Sequence, residues 1–458
     1  MNLINPRELF QAAERLISDK KYSEAIKIFQ RVLTLEKDNI GALGNISSLF
    51  FIIGDYHNSE FYVDQIIRIN SNNWQALITK AQICDSLGKN ALSVEYYKKI
   101  ISIKKDIVEP YSLYTLALFR LKEYSKAVEI CEISKNKFKN KIMPYLLSGI
   151  CNTKLNNIDT AKSDFNKCIE ISASDELTLR SKSVAYLNLG LFKEAFKTSF
   201  TQNLPNEEQF ENFSNYNNAI KKINQLETPK ILKNTKGEFN KIIYTAADSI
   251  YAEKYFKNLI KSTNNFNPDV KIHLHLMVKD FKTLEQFKKI EFDNIFITYE
   301  IFKPKDVSEY TTRRFTRLIQ FINYSKKPVL SLDIDSIFTG KIQDFFLNYK
   351  DCDVGIYIRS EETAINKIIH AGMIFFSPTK AALKFLCYFA NFVESAVNKN
   401  GSFWYIDQMA LLATEVWCKN NPSIIKVKPI TENMLSWNKQ TKDTLVLTYK
   451  GAQKNKYV

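Results

Sequence analysis

No two of the seven cysteines (84, 131, 151, 168, 352, 387 and 418) stand in a Cys-x-x-Cys pair, which argues against a zinc knuckle or a disulfide framework. The count is odd, and the opening MNLINPRELFQAAERL lacks a basic start followed by an apolar core. We therefore expect no signal peptide and a reducing, cytoplasmic setting. No apolar run approaches the length of a membrane span, so any membrane association is expected to be peripheral. No glycine-rich phosphate loop of the Walker or dinucleotide type is present, which argues against a kinase or a dehydrogenase. Basic and aromatic residues do not interleave, so nucleic acid is not an expected partner.

What is present is an ordinary globular composition. At 45% hydrophobic and 25% charged residues the chain is too apolar to be disordered. Its 458 residues suggest two or three domains. The net charge of +15 is spread along the chain rather than blocked into a tail. That pattern reads as a solvated lysine-rich surface, with affinity for an acidic lipid or a phosphorylated substrate as its functional counterpart.

The first half repeats. Steps of about 34 residues, a period of helical repeats, connect Ala13, Ser47, Ala81, Thr115, Gly149 and Ser183, all small. A second series of small residues runs Ala25, Ser59, Ser93, Ala127, Ala161, Ala195. A third, Tyr22, Tyr56, Asn90, Tyr124, Ile158, Phe192, is mostly bulky. Two helices that cross closely need small residues where their backbones meet, and a large side chain fills the gap at the turn. The stretch KYSEAIKIFQRVLTLEKDN puts Ala25, Ile26, Phe29, Val32 and Leu33 on one helical face. The pattern resembles the tetratricopeptide repeat, in about six units over residues 1–203. The resemblance implies a solenoid whose groove takes a protein or peptide, with homo-oligomerisation as another use.

After Phe200 the register stops. Residues 204–238 are polar and asparagine-rich, punctuated by Pro205 and Pro229. They read as a linker with one capping helix around Phe213 to Leu226. From Phe239 short β-rich runs alternate with helical stretches: KIIYTAAD, YAEKYFKNLIKSTNNF, VKIHLHLMV. This is a βαβ opening, and residues 239–458 are expected to form an α/β domain with a largely parallel sheet.

One strand carries an oddity. In VLSLDIDSIF, Asp333 and Asp335 are two apart and would share a strand face. Their repulsion is about 3 kcal/mol at an effective dielectric of about 20. A divalent cation such as Mn²⁺ or Mg²⁺, completed by substrate phosphates, would relieve it. Asp248 ends another predicted strand, where ligands sit in open parallel sheets. His273 and His275 share a strand face with no third ligand nearby in sequence and read as ordinary strand histidines. Trp404, Trp417 and Trp437 read as core or pocket wall.

Residues 241–458 resemble the nucleotide-sugar glycosyltransferases of the GT-A fold, a Rossmann-like mixed and mainly parallel sheet. The retaining family that includes glycogenin and the bacterial lipopolysaccharide galactosyltransferases is the most similar. Four segments in family order, and a fifth near the end, carry the likeness. YTAADSIYAEKY resembles the nucleotide-binding turn, which implies Ala246, Asp248 and Tyr251 at the base; Ile250 replaces a residue that is often polar. RRFTRLIQF followed by VLSLDID implies Arg317 near the sugar diphosphate, with Asp333 and Asp335 at the metal. HAGMIFF resembles an Asn-Ala-Gly strand in which His370 replaces the asparagine. WYIDQMAL implies Asp407 and Gln408 beside the sugar. TYKGAQK resembles a His-x-x-Gly-x-x-Lys element, which implies Gly451 and Lys454 at the diphosphate; Thr448 stands where the family has a metal-binding histidine.

The resemblance implies a hexosyltransferase acting from a UDP-sugar with retention. Front-face attack and a covalent intermediate on Asp407 or Gln408 both remain open, as does inversion with Asp407 as base. The expected acceptor is a protein or peptide recruited by the repeats, and a lipid-linked glycan is the second choice. The alternative is a repeat scaffold joined to a non-catalytic sugar-nucleotide binder, a reading that Thr448 supports.

Overall fold

The computed structural model describes residues 5–173, 175–199, 221, 225–235, 237–304, 308–359, 362, 368–400, 406–420, 425–430, 434–437 and 444–448. The chain divides into two compact units after Ala173.

The first unit is a run of antiparallel helix pairs: α1 (Pro6–Ser18) with α2 (Tyr22–Leu35), α3 (Ile40–Ile52) with α4 (Tyr56–Ile69), and α5 (Trp74–Ser86) with α6 (Asn90–Ile103). They continue as α7 (Val108–Arg120) with α8 (Tyr124–Lys137) and α9 (Ile142–Lys154) with α10 (Ile158–Glu170). Each helix packs on the next in sequence, as in a solenoid. Beyond the division, α11 (Glu176–Asn188) and α12 (Phe192–Ser199) form a sixth pair. The first helices of the pairs begin at 6, 40, 74, 108, 142 and 176, an interval of 34 residues throughout. The bulky turn series, from Tyr22 to Phe192, supplies the first residue of every second helix.

The reason for the interval is packing. All twelve positions of the two small-residue series are buried. A Cβ on Gly149 would lie 2.6 Å from the ring of Phe165. At the second pair the Ser47 hydroxyl donates to the Ser59 carbonyl at 2.9 Å, and Ser59 returns the bond to Ser47 at 2.8 Å. Two residues past the end of each first helix stands a residue with positive φ: Lys20, Gly54, Gly88, Lys122, Asn156 and Gly190, between 60° and 79°. The following N–H reaches back five residues, for instance Asp55 to the Phe50 carbonyl at 2.8 Å. This left-handed cap stops one helix and aims the chain into the next. Lys80 is held between Glu60 and Asp64, and Lys135 reaches Asp164.

The second unit is built on an eight-stranded mixed sheet with the order β1-β4-β3-β2-β5-β8-β7-β9 among the described residues. The strands are β1 (Lys230–Lys233), β2 (Ile242–Asp248), β3 (Lys271–Val278), β4 (Ile295–Ile301), β5 (Val329–Leu332), β7 (Val354–Ile358), β8 (Ile369–Phe376) and β9 (Val427–Ile430). Neighbours among β2 to β5 run parallel, whereas β1 and β8 run antiparallel to their neighbours. The near-continuous apolar runs of β2 and β3 follow from this: central parallel strands are buried on both faces. Helix α13 (Ser249–Phe266) packs on the apolar core that Ile243, Leu274, Ile297, Leu330 and Phe375 share. Helix α14 (Ser308–Ser325) packs on β2 and on α15 (Lys380–Asn400), and α15 packs on α16 (Ile406–Asn420). A small sheet joins β6 (Ser336–Phe338), β11 (Val446–Thr448) and β10 (Leu435–Trp437). The capping helix expected around Phe213 lies outside the described residues up to 220. Among the described residues no helix is long and apolar enough to cross a membrane.

Candidate active site

The strand order reverses between β2 and β5. β2 continues to β3 on one side and pairs with β5 on the other. Ligands in open α/β sheets sit at the carboxyl ends of strands at such a switch point. Asp248 ends β2 and Asp333 follows β5, so both carboxylates stand there.

Asp333 is fixed first by the backbone. Its N–H donates to the Gly372 carbonyl at 3.1 Å, and its carbonyl accepts from Ser336 N–H at 3.1 Å. The turn so formed separates β5 from β6, so Asp333 and Asp335 leave the regular strand rather than share its face. The Gly372 N–H donates to His370 Nδ1 at 3.0 Å. A Cβ on Gly372 would lie 2.4 Å from the His370 ring and 2.6 Å from Asp333 Oδ2. Only glycine lets the imidazole and the carboxylate crowd this close to the strand.

The opposing charge comes from α14. Arg314 Nη1 donates to Asp333 Oδ1 at 2.6 Å, and Nη2 donates to Asp407 Oδ2 at 3.1 Å and to the Ala371 carbonyl at 3.3 Å. The Tyr244 hydroxyl donates to the Arg314 carbonyl at 3.2 Å and pins that turn of the helix to β2. Asp407, in the first turn of α16, also accepts from the Gln408 N–H at 2.8 Å. Burial pushes the Asp407 carboxyl above its usual range; Arg314 draws it back and Asp333 pushes it up again. Burial works against the Arg314 charge, and Asp333 and Asp407 more than restore it. Asp333, His370 and Asp407, which the sequence places on three separate segments, are thus brought together, with Gln408 next to Asp407.

Arg317 is not with them. Its guanidinium donates to Glu300 and to Gln320 Oε1 at 2.6 Å, and its side chain is buried there. Arg314, one helical turn earlier, stands between the two aspartates instead. Both face the sheet side of α14, and only the packing of that helix against β2 decides which one reaches the strand ends. The signal available in the sequence was the pair Arg313–Arg314 just before Phe315, a buried position.

At the end of β2, Asp248 caps α13, its Oδ1 accepting from the Tyr251 N–H at 2.9 Å. Tyr251 is 42% exposed and packs against Tyr255 with ring centres 5.0 Å apart. Ala246 is half-buried and Ile250 is exposed. Tyr310 on α14 was missed: burial, and then Asp248, push its hydroxyl above the usual tyrosine range. Asp335 is buried. Ser336 beside it pairs with Thr448 across β6 and β11, and both hydroxyls are buried with no hydrogen-bond partner. Among the described residues no three His, Cys, Asp or Glu side chains form a metal-holding group. Gly451 and Lys454 lie outside the described residues.

A family model described as tetratricopeptide repeat matches residues 75–107 and 144–175. The N-terminal region is built of tetratricopeptide repeats. No curated protein matches the chain. Among solved structures, MamA 41-end from Desulfovibrio magneticus RS-1 is 17% identical over 36% of this chain and 94% of its own, with a TM-score of 0.34. YrrB, titled a TPR protein with an unusual peptide-binding site, is 14% identical over 40% of this chain and 93% of its own, with a TM-score of 0.33. A tetratricopeptide repeat protein from Parabacteroides merdae ATCC 43184 is 16% identical over 45% and 82%, with a TM-score of 0.36.

Proposed function

We propose that the second unit is a GT-A-type glycosyltransferase using a nucleotide-diphosphate sugar, UDP-linked by resemblance, and that the repeats recruit a protein or peptide acceptor. The observation that carries this reading is the convergence of Asp333, His370, Arg314 and Asp407 at the carboxyl end of β5, at the sheet's switch point. Four segments far apart in sequence meet where a donor would lie, in a solvent-poor setting that strengthens fixed charges.

A divalent cation would supply charge neutralisation on the leaving diphosphate. The oxygen donors that fit it are Asp333, the buried Asp335 and the Thr448 hydroxyl. The partnerless Thr448 and Ser336 hydroxyls next to Asp335 support that fit, since hard cations take oxygen ligands. Arg314 holds Asp333 and Asp407 at fixed separation. Asp407, with its raised pKa, or Gln408 would serve as nucleophile, or both would only orient the donor for front-face attack; inversion with Asp407 as base is a third route. Asp248 and Tyr251 would hold the base and ribose, and Gly451 and Lys454 the diphosphate.

The test is turnover of UDP-sugars by the full chain with Mn²⁺, comparing wild type with Asp335→Asn. We expect donor hydrolysis or transfer to fall at least ~100-fold in the variant, the scale of losing one electrostatic partner of a transition state. Full activity in Asp335→Asn would remove the metal role. A second reading, a sugar-nucleotide binder without turnover, is favoured by Arg314, which already neutralises Asp333. Nucleotide binding by calorimetry with no turnover on any donor would decide for it.

A further inference from the structure

The same sheet carries a cavity of about 960 Å³ at its other end. Its lining includes Ile242 and Lys271, the first residues of β2 and β3, and Lys327, just before β5. It therefore opens at the amino ends of the strands, whereas Asp248 and Asp333 stand at their carboxyl ends. Tyr244, Phe296 and Phe321 form aromatic walls around His273, with ring centres 5.1, 4.8 and 4.1 Å from the imidazole.

His273 is more than nine-tenths buried and its Nδ1 has no hydrogen-bond partner. A chain of hydrogen bonds fixes what that nitrogen is. Burial alone would raise the Glu300 carboxyl, but hydrogen bonds from His275, Arg313 and Arg317 hold it far below the usual range, so it is ionised. His275 Nε2 lies 3.2 Å from Glu300 Oε1 and must donate to it. Burial keeps His275 neutral, so its Nδ1 is bare and accepts from the Thr298 hydroxyl at 3.0 Å. With its proton used, Thr298 Oγ1 accepts from His273 Nε2 at 2.8 Å. Burial also keeps His273 neutral, which leaves Nδ1 as a bare acceptor. Buried acceptors are ordinarily satisfied, so this one calls for a donor.

Lys271 and Lys327 line the cavity, as do Arg317, which is paired with Glu300, and one carboxylate, the exposed Glu238. Lys271 sits half-buried over the Phe296 ring, its nitrogen 4.3 Å from the ring centre, and burial depresses its pKa with no carboxylate opposing the shift. Lys327 stands at the same cavity, bonded to Asn240 Oδ1 at 3.0 Å, a neutral partner.

We propose that this cavity is a second ligand site, which takes a small aromatic anion bearing an N–H or O–H group. The ring lies against Tyr244, Phe296 and Phe321, the anionic group meets Lys271, and the N–H or O–H hydrogen is donated to His273 Nδ1.

The probe is 8-anilinonaphthalene-1-sulfonate, which combines all three features, titrated against the full chain by fluorescence. Saturable binding at one site is expected. It should be displaced better by 4-hydroxybenzoate than by benzoate, which lacks the donor, and left alone by excess UDP. Lys271→Met should weaken it about tenfold, the scale of one charge-assisted hydrogen bond. His273→Phe, which keeps the aromatic packing, should erase the preference for 4-hydroxybenzoate. Should that variant not fold, as judged by circular dichroism, Lys271→Met and the benzoate comparison still decide. Non-saturable uptake, equal binding by Lys271→Met and wild type, or displacement by UDP would overturn the proposal.

Discussion

The two units bury charge in different ways. In the repeats, Lys80 meets Asp64 16 residues away, and Lys135 meets Asp164 29 residues away, each within one unit of the period or less. In the sheet unit, Arg314 spans 19 residues to Asp333 and 93 to Asp407. A repeat can neutralise a charge with its neighbour, so its electrostatics are copied along with its helices. The sheet unit assembles its charge clusters from strands and helices that only the complete topology brings together. Damage should therefore stay local in the first and spread in the second.

Glu300→Gln gives the strongest contrast. It leaves the buried Arg317 and the half-buried Arg313 beside a neutral group and should cost about 3–5 kcal/mol, read as a lower urea midpoint. The sign with pH follows from the depressed carboxyl. Its stabilisation is fully present above the unfolded value of about 4.3 and is lost as pH falls from there toward the folded value. Wild type should lose stability across that acid window, and Glu300→Gln should show a shallower slope. Equal slopes would mean the cluster is not ionised as described.

A matched pair of glycines sharpens the comparison. Gly372→Ala and Gly149→Ala each force a Cβ into a contact under 3 Å, an overpacking cost of about 1–3 kcal/mol. Thermal melts should show similar losses. Only Gly372→Ala should also weaken nucleotide binding in calorimetry, because it displaces His370 and Asp333 together. If Gly149→Ala does the same, the two units are energetically coupled.

The smallest effect is expected from Lys80→Met. Its partners Glu60 and Asp64 keep 27% and 37% of their side-chain surface exposed, so water takes over their solvation. The loss should be about 1 kcal/mol. A loss as large as that of Glu300→Gln would erase the difference between the two units.

How much was legible follows the same division. The period could be read because each repeat solves its packing within itself. Ala13 and Ala25 with their successors mark helix crossings that recur whatever lies far away. The βαβ texture likewise announced the parallel strands, and Asp333, His370 and Asp407 were found as segments. Arg314 was not separable from Arg317, since both sit on one helical face and the choice depends on how α14 lies against Tyr244. The relay from Glu300 to His273 was equally hidden. His273 and His275 look ordinary until Thr298, on a strand paired in register, closes the gap between them.

The left-handed caps of the repeats have a consequence for how this chain can change in length. Lys20, Gly54, Gly88, Lys122, Asn156 and Gly190 share the interval of the helix starts. Removing residues 56–89 would join Asp55 to Asn90 with every later crossing and cap still in phase. A loss that is not a whole multiple of 34 residues would throw the downstream positions out of step. The array behaves as a ruler marked in whole repeats: duplication or deletion of one mark changes its reach and leaves each remaining joint as it was.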